Sequence, residues 1–123
     1  MPDSFFTGID TVIIRVSDPA ASLNWYKEKL GFSETYRDDS AGLIVLDTGT
    51  PTSLTLWRTD TVIRNNRETS SFPIFRTTDA RSARAALAGN GVKTGDLVSD
   101  DVVDFFTFED PDGNLLEACQ VKE

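Results

Sequence analysis

Thr11-Val-Ile-Ile-Arg-Val-Ser-Asp-Pro-Ala-Ala-Ser-Leu-Asn-Trp-Tyr-Lys-Glu-Lys-Leu-Gly-Phe32 is the stretch from which the fold can be read. Its first six residues alternate: Val12, Ile14 and Val16 fall on one side, and Thr11, Ile13 and Arg15 on the other. This is the pattern of a strand with two different faces. Asp18-Pro19 then supplies an N-cap and a first-turn proline. Leu23, Tyr26 and Leu30 recur at helical spacing, and Gly31 stops the helix after about three turns. Trp25 and Tyr26 read as packing residues of that helix. Three short strand-like runs follow, Phe32 to Arg37, Gly42 to Leu46 and Ser53 to Arg58. They are separated by the turn-forming clusters Asp38-Asp39-Ser40 and Gly49-Thr50-Pro51.

The order then repeats. Ser71 to Thr77 reads as a strand, Asp79 caps a helix carrying Ala83, Ala86 and Leu87, and Gly91 ends it. Gly91 comes 12 residues after its cap, as Gly31 comes 13 after Asp18. A weak strand near Leu97-Val98, a strand from Val103 to Glu109, the turn Asp110-Pro111-Asp112-Gly113-Asn114 and a strand from Leu115 to Val121 complete the second unit. The expected fold is α+β, two βαβββ modules within a single domain of residues 1–123. Module one covers about residues 7–58 and module two about 71–123. The polar segment 59–70, with Arg64, Asn65, Asn66 and Arg67, reads as a mobile linker.

Composition narrows the function classes. With 39% apolar and 26% charged residues, the chain has enough apolar material for a packed core. The net charge of −8 would repel a phosphate backbone, so nucleic acid is excluded as the expected partner. Met1-Pro-Asp-Ser-Phe-Phe6 has no basic region followed by an apolar run, no long apolar stretch suits a membrane, and Cys119 has no second cysteine to pair with. A cytoplasmic location follows as the expectation. The chain contains no histidine, the commonest transition-metal ligand and the commonest general base near neutral pH. A serine nucleophile therefore has no imidazole to activate it. The glycines at Gly89 and Gly91 follow a helix, where a phosphate cradle must precede one.

The run Thr11 to Phe32 resembles the opening strand and helix of the vicinal-oxygen-chelate superfamily, which includes glyoxalase I, bleomycin-resistance proteins and extradiol dioxygenases. Phe108-Glu-Asp-Pro-Asp-Gly-Asn-Leu-Leu-Glu117 resembles its closing hairpin. The resemblance implies a cup of curled strands in which four side chains, one from the first and one from the last strand of each module, hold a divalent metal. Carried over position by position, those ligands fall on Thr11, Thr55, Phe72 and Glu117. Only Glu117 keeps a metal-binding side chain. A threonine hydroxyl is a poor ligand, a phenyl ring is none, and one carboxylate holds a divalent ion weakly. Asp47 or Glu109 could add a ligand only if the geometry allowed. The expectation is therefore no metal and no cofactor.

Strand alternation puts Thr11, Ile13 and Arg15 on one face, Thr55 and Trp57 on one face, and Phe105 and Thr107 on one face; the resemblance implies that these faces point inward and that Phe106 and Phe108 pack beneath the second helix. Arg15 stands four residues beyond the first ligand position, where the resemblance to glyoxalase I implies a carboxylate anchor. An anionic ligand or an internal acid such as Glu117 would equally satisfy a guanidinium there. Trp57 and Phe105 suit either a flat ligand or the core. Glu117 suits three roles: relic ligand, hydrogen-bond acceptor, or general base. The leading expectation is a metal-independent small-molecule-binding protein that pairs as a homodimer. The alternative is a glyoxalase-type lyase or isomerase with Glu117 as base and Arg15 as carboxylate anchor.

Overall fold

The computed structural model describes Ser4–Glu123; the first three residues of the amino-terminal stretch considered above lie outside the described residues. The chain divides into two compact units, Met1–Asp60 and Thr61–Glu123. Each carries a four-stranded mixed sheet and one helical segment, so the architecture is α+β with the βαβββ order twice over.

In unit one, β1 (Thr11–Val16) leads into α1 (Pro19–Trp25), followed by β2 (Ser33–Asp38), β3 (Leu43–Asp47) and β4 (Ser53–Arg58), in the sheet order β1-β4-β3-β2. Asp18 caps α1 by accepting from Ala20 N at 3.1 Å and Ala21 N at 3.2 Å. These two amides would otherwise be left unpaired at the helix start. The helical segment does not stay α throughout. Tyr26–Leu30 form a wider π turn, and Gly31, at φ 76°, closes it in the left-handed region that glycine adopts without strain. Apolar spacing alone does not distinguish this turn from an α turn. It places Tyr26 fully out of solvent, with Trp25 edge-on at 4.9 Å between ring centroids.

In unit two, β5 (Ile74–Arg76), α2 (Ala80–Gly89), β6 (Val98–Ser99), β7 (Val103–Glu109) and β8 (Leu115–Val121) give the order β5-β8-β7-β6. β5 is shorter than the Ser71–Thr77 strand expected from the sequence. Pro73 has no amide hydrogen to give to the ladder, although its carbonyl accepts from Glu117 N at 3.2 Å. Asp79 caps α2 through Ser82 N at 3.0 Å, and Gly91 ends the segment at φ 81°.

One face of each sheet is covered. Ile14, Val16, Ile44, Leu46, Leu54 and Leu56 are buried with Leu23 and Tyr26 in unit one, and Phe106, Phe108, Leu116 and Ala118 with Ala80 in unit two. The opposite faces are left open, and there the functional candidates lie.

Candidate functional site

The strand register determines which side chains share the open face of unit one. β1 runs parallel to β4 with Ile13 beside Thr55 and Arg15 beside Trp57, and β3 sets Val45 beside Thr55 and Leu43 beside Trp57. Thr11 completes the β1 row, and its hydroxyl lies 2.8 Å from that of Thr55. Tyr36 extends the row across β2. The guanidinium of Arg15 stacks over the Trp57 ring, 5.0 Å from its centroid, while the indole Nε1 donates to the Ala41 carbonyl at 3.1 Å. That bond fixes the plane of the ring, and the stacked cation extends the flat surface. Ile13 and Tyr36 remain 49% and 57% exposed, more than apolar side chains on a finished core face would be. Thr11, Ile13, Arg15, Thr55 and Trp57, all expected on one face, do come together on one.

In unit two the equivalent rows are Ile74, Glu117 and Thr107, then Arg76, Cys119, Phe105 and Val98. Ile74 and Val98 are again about half exposed, at 56% and 47%. Phe105 and Thr107 stand on the open face, while Phe106 and Phe108 are buried on the other. Phe72 lies just before β5, half-buried and with no register partner in the sheet.

Two arginines were not singled out from the sequence. Arg76 takes beside Cys119 the position that Arg15 takes beside Trp57. The parallel Ile13-Ile14-Arg15 and Ile74-Phe75-Arg76 was available as a signal. Arg67 belongs to the segment read as a mobile linker but itself lies within unit two, and its Nη2 donates to Thr107 Oγ1 at 2.5 Å. A contact spanning 40 residues leaves no local trace in the sequence.

Glu117 is half-buried, and burial pushes its carboxyl above the ordinary value of 4.5, while the Arg67 charge pulls the other way. The folded protein therefore binds this proton more tightly than the unfolded chain does. The sign follows: stability falls as pH rises from the ordinary value through the raised one. Glu117→Gln should melt above the parent protein at neutral pH, the gap closing as pH drops below the ordinary value. A thermal melt series between about pH 4 and 8 measures this. A variant that melts lower than the parent at neutral pH would mean that the ionised carboxylate is the stabilised form.

The residues at the four family ligand positions do not fit a divalent metal. The Thr11 and Thr55 hydroxyls are bonded to each other, Phe72 has no donor atom, and Glu117 remains as one carboxylate. Of the supplementary acids, Asp47 accepts from Gly49 N at 2.7 Å and Glu109 pairs with Lys93 at 3.1 Å. Among the described residues no three His, Cys, Asp or Glu side chains gather where they could hold a metal ion. Among the same residues no helix is long and apolar enough to cross a membrane.

The glyoxalase/bleomycin resistance protein/dioxygenase superfamily profile matches residues 8–118. The chain belongs to that superfamily. Solved structures of similar fold include three that cover it nearly end to end. A glyoxalase-family protein from Enterococcus faecalis shares 27% identity at a TM-score of 0.74, with 94% of this chain and 99% of that one covered. A glyoxylase/bleomycin resistance protein/dioxygenase domain from Frankia sp. EAN1pec shares 20% identity at a TM-score of 0.78, with 95% and 99% covered. TnmS3, an antibiotic-binding protein from Streptomyces sp. CB03234, shares 21% identity at a TM-score of 0.76, with 98% and 100% covered. No curated protein matches the chain. On the open sheet faces described above this chain brings aromatic, apolar and charged side chains together.

Proposed function

We propose that this superfamily member is a small-molecule-binding protein that holds a flat organic ligand on its open sheet faces without a catalytic metal. The observation that carries the reading is the 2.8 Å bond between the Thr11 and Thr55 hydroxyls. At two positions where the superfamily resemblance places metal ligands, each side chain here has the other as its polar partner. The fixed Trp57 ring, with Arg15 over it, offers a planar surface of the kind that binds conjugated ligands. That a structural neighbour binds an antibiotic makes such ligands a reasonable first panel.

Protein purified without chelator is expected to carry well under one equivalent of nickel, zinc, manganese or iron. Close to one equivalent of any of these would overturn the metal-free reading. A thermal-shift panel of glutathione adducts, aromatic acids and cationic glycopeptide drugs should contain a stabilising ligand. At about 100 times its Kd, such a ligand adds about 2.7 kcal/mol. Loss of its quenching of Trp57 fluorescence in Arg15→Ala would place it on the unit-one face, whereas unchanged quenching would remove Arg15 from the site.

The raised Glu117 carboxyl supports a second reading, a glyoxalase-type lyase or isomerase in which Glu117 acts as the base. Turnover abolished by Glu117→Gln in metal-depleted protein would favour it over simple binding. On the leading reading the protein works in the cytoplasm as a homodimer, with the exposed Ile13, Tyr36, Ile74 and Val98 supporting association. Sedimentation of the free protein as a monomer at micromolar concentration would remove the dimer.

A further inference from the structure

Unit two contains a polar recess that meets the open face at Thr107. The segment preceding β5 is fastened to the closing hairpin through Asn65. Its Nδ2 donates to Asn114 Oδ1 at 3.3 Å, and its Oδ1 accepts from Leu115 N at 3.5 Å. Two residues further on, Arg67 donates to Thr107 Oγ1. Asn65, Arg67 and Thr107 line a recess of about 310 Å³, with Lys93, Gly95 and Glu109 among its other walls.

The charges in this recess do not balance. Lys93 Nζ sits 3.1 Å from Glu109 Oε2, so that pair is met. Arg67 has only the neutral Thr107 hydroxyl within hydrogen-bond distance among the described residues. Its guanidinium carries five N–H donors, of which one is used. The Arg67 charge interacts with the Glu117 carboxyl without a hydrogen bond, and the recess itself is lined by two cations, Lys93 and Arg67, and one carboxylate, Glu109. Thr107 Oγ accepts from Arg67 and keeps its own proton to donate. Gly95 leaves that hydroxyl room, since a Cβ there would lie 2.7 Å from Thr107 Oγ1.

We propose that this recess binds the carboxylate of a small organic acid, gripped by Arg67 and by the Thr107 hydroxyl. A planar carboxylate matches the guanidinium fork, and its single charge matches the one cation by which the lining exceeds its carboxylate. A phosphate dianion would bring a surplus negative charge beside Glu109. The proposal adds an anion anchor to the small-molecule reading and rests on it only in sharing Thr107.

The test is titration of benzoate, its neutral isostere benzamide and inorganic phosphate into the intact protein, followed by amide NMR shifts and calorimetry. Benzoate is expected to shift the Gly95 and Thr107 amides saturably, with benzamide and phosphate at least about tenfold weaker. Arg67→Gln should weaken benzoate at least about tenfold and Thr107→Val severalfold, both with unchanged melting temperature. Equal binding of benzamide, tighter binding of phosphate, indifference to Arg67→Gln, or no benzoate binding would each overturn the proposal. Benzoate that binds yet ignores Arg67→Gln would sink the recess while leaving the small-molecule reading intact. A metal equivalent in the purified protein would do the reverse.

Discussion

Phe106→Ala is expected to lower stability by about 3–5 kcal/mol, whereas Phe105→Ala, one residue away, should cost about 1 kcal/mol. Phe106 is fully buried on the helix side of β7, with its ring centroid 5.8 Å from that of Phe108. Truncation removes most of a large apolar side chain and leaves a void that the Phe108 ring and Ala118 fill only in part. Phe105 points to the open face beside Cys119 and Val98 and keeps part of its surface in water in the native state. Its removal therefore opens no comparable cavity. For a chain of this length the larger loss corresponds to a fall in melting temperature of roughly 10–20 °C. Paired thermal melts of the two variants decide the matter. Equal losses would mean that the open face of unit two is packed like a core and cannot serve a ligand.

Which side the helix covers was implied by the family resemblance, but that Phe105 and Phe106 face opposite sides was legible in the sequence because alternation is a local property. The same holds for the caps at Asp18 and Asp79, the stops at Gly31 and Gly91, and strands β4, β7 and β8, each of which starts and ends where turn-forming residues say it should. What was not legible depends on contacts made far along the chain. The Thr11–Thr55 bond joins residues 44 apart, and Arg67 reaches a hydroxyl 40 residues away from a segment whose polar composition reads as linker. The π turn at Tyr26–Leu30 changes the hydrogen-bond pattern without changing residue type, so no spacing rule marks it. Pro73 was visible, and its missing amide accounts for the late start of β5, at Ile74 instead of the expected Ser71. The candidate positions were thus readable as faces, while the polar partners that give those faces their chemistry were not.

Asp110→Ala should be nearly as costly as Phe106→Ala, at about 2–4 kcal/mol, although it removes no core packing. Asp110 opens the turn between β7 and β8 and is only 5% exposed. Its Oδ1 accepts from Asp112 N at 3.0 Å and from Asn114 N at 2.8 Å, and its Oδ2 from Asn114 Nδ2 at 2.9 Å. Alanine would leave these donors without their acceptor in a place that water reaches poorly, and each such loss costs more than an average hydrogen bond is worth. Asp110→Asn keeps one acceptor oxygen for the backbone amides but turns an amide donor toward the Asn114 amide, so about half the loss is expected. The consequence extends beyond the turn. Asn114 Oδ1 accepts from Asn65, so the buried carboxylate also positions the segment that carries Arg67. Hydrogen exchange should therefore quicken in Asp110→Ala both at Asn114 and at Leu115, whose amide donates to Asn65. If exchange at Leu115 is unchanged while the protein is destabilised, the turn and the Arg67 segment are independent, and the recess is held in place by Thr107 alone.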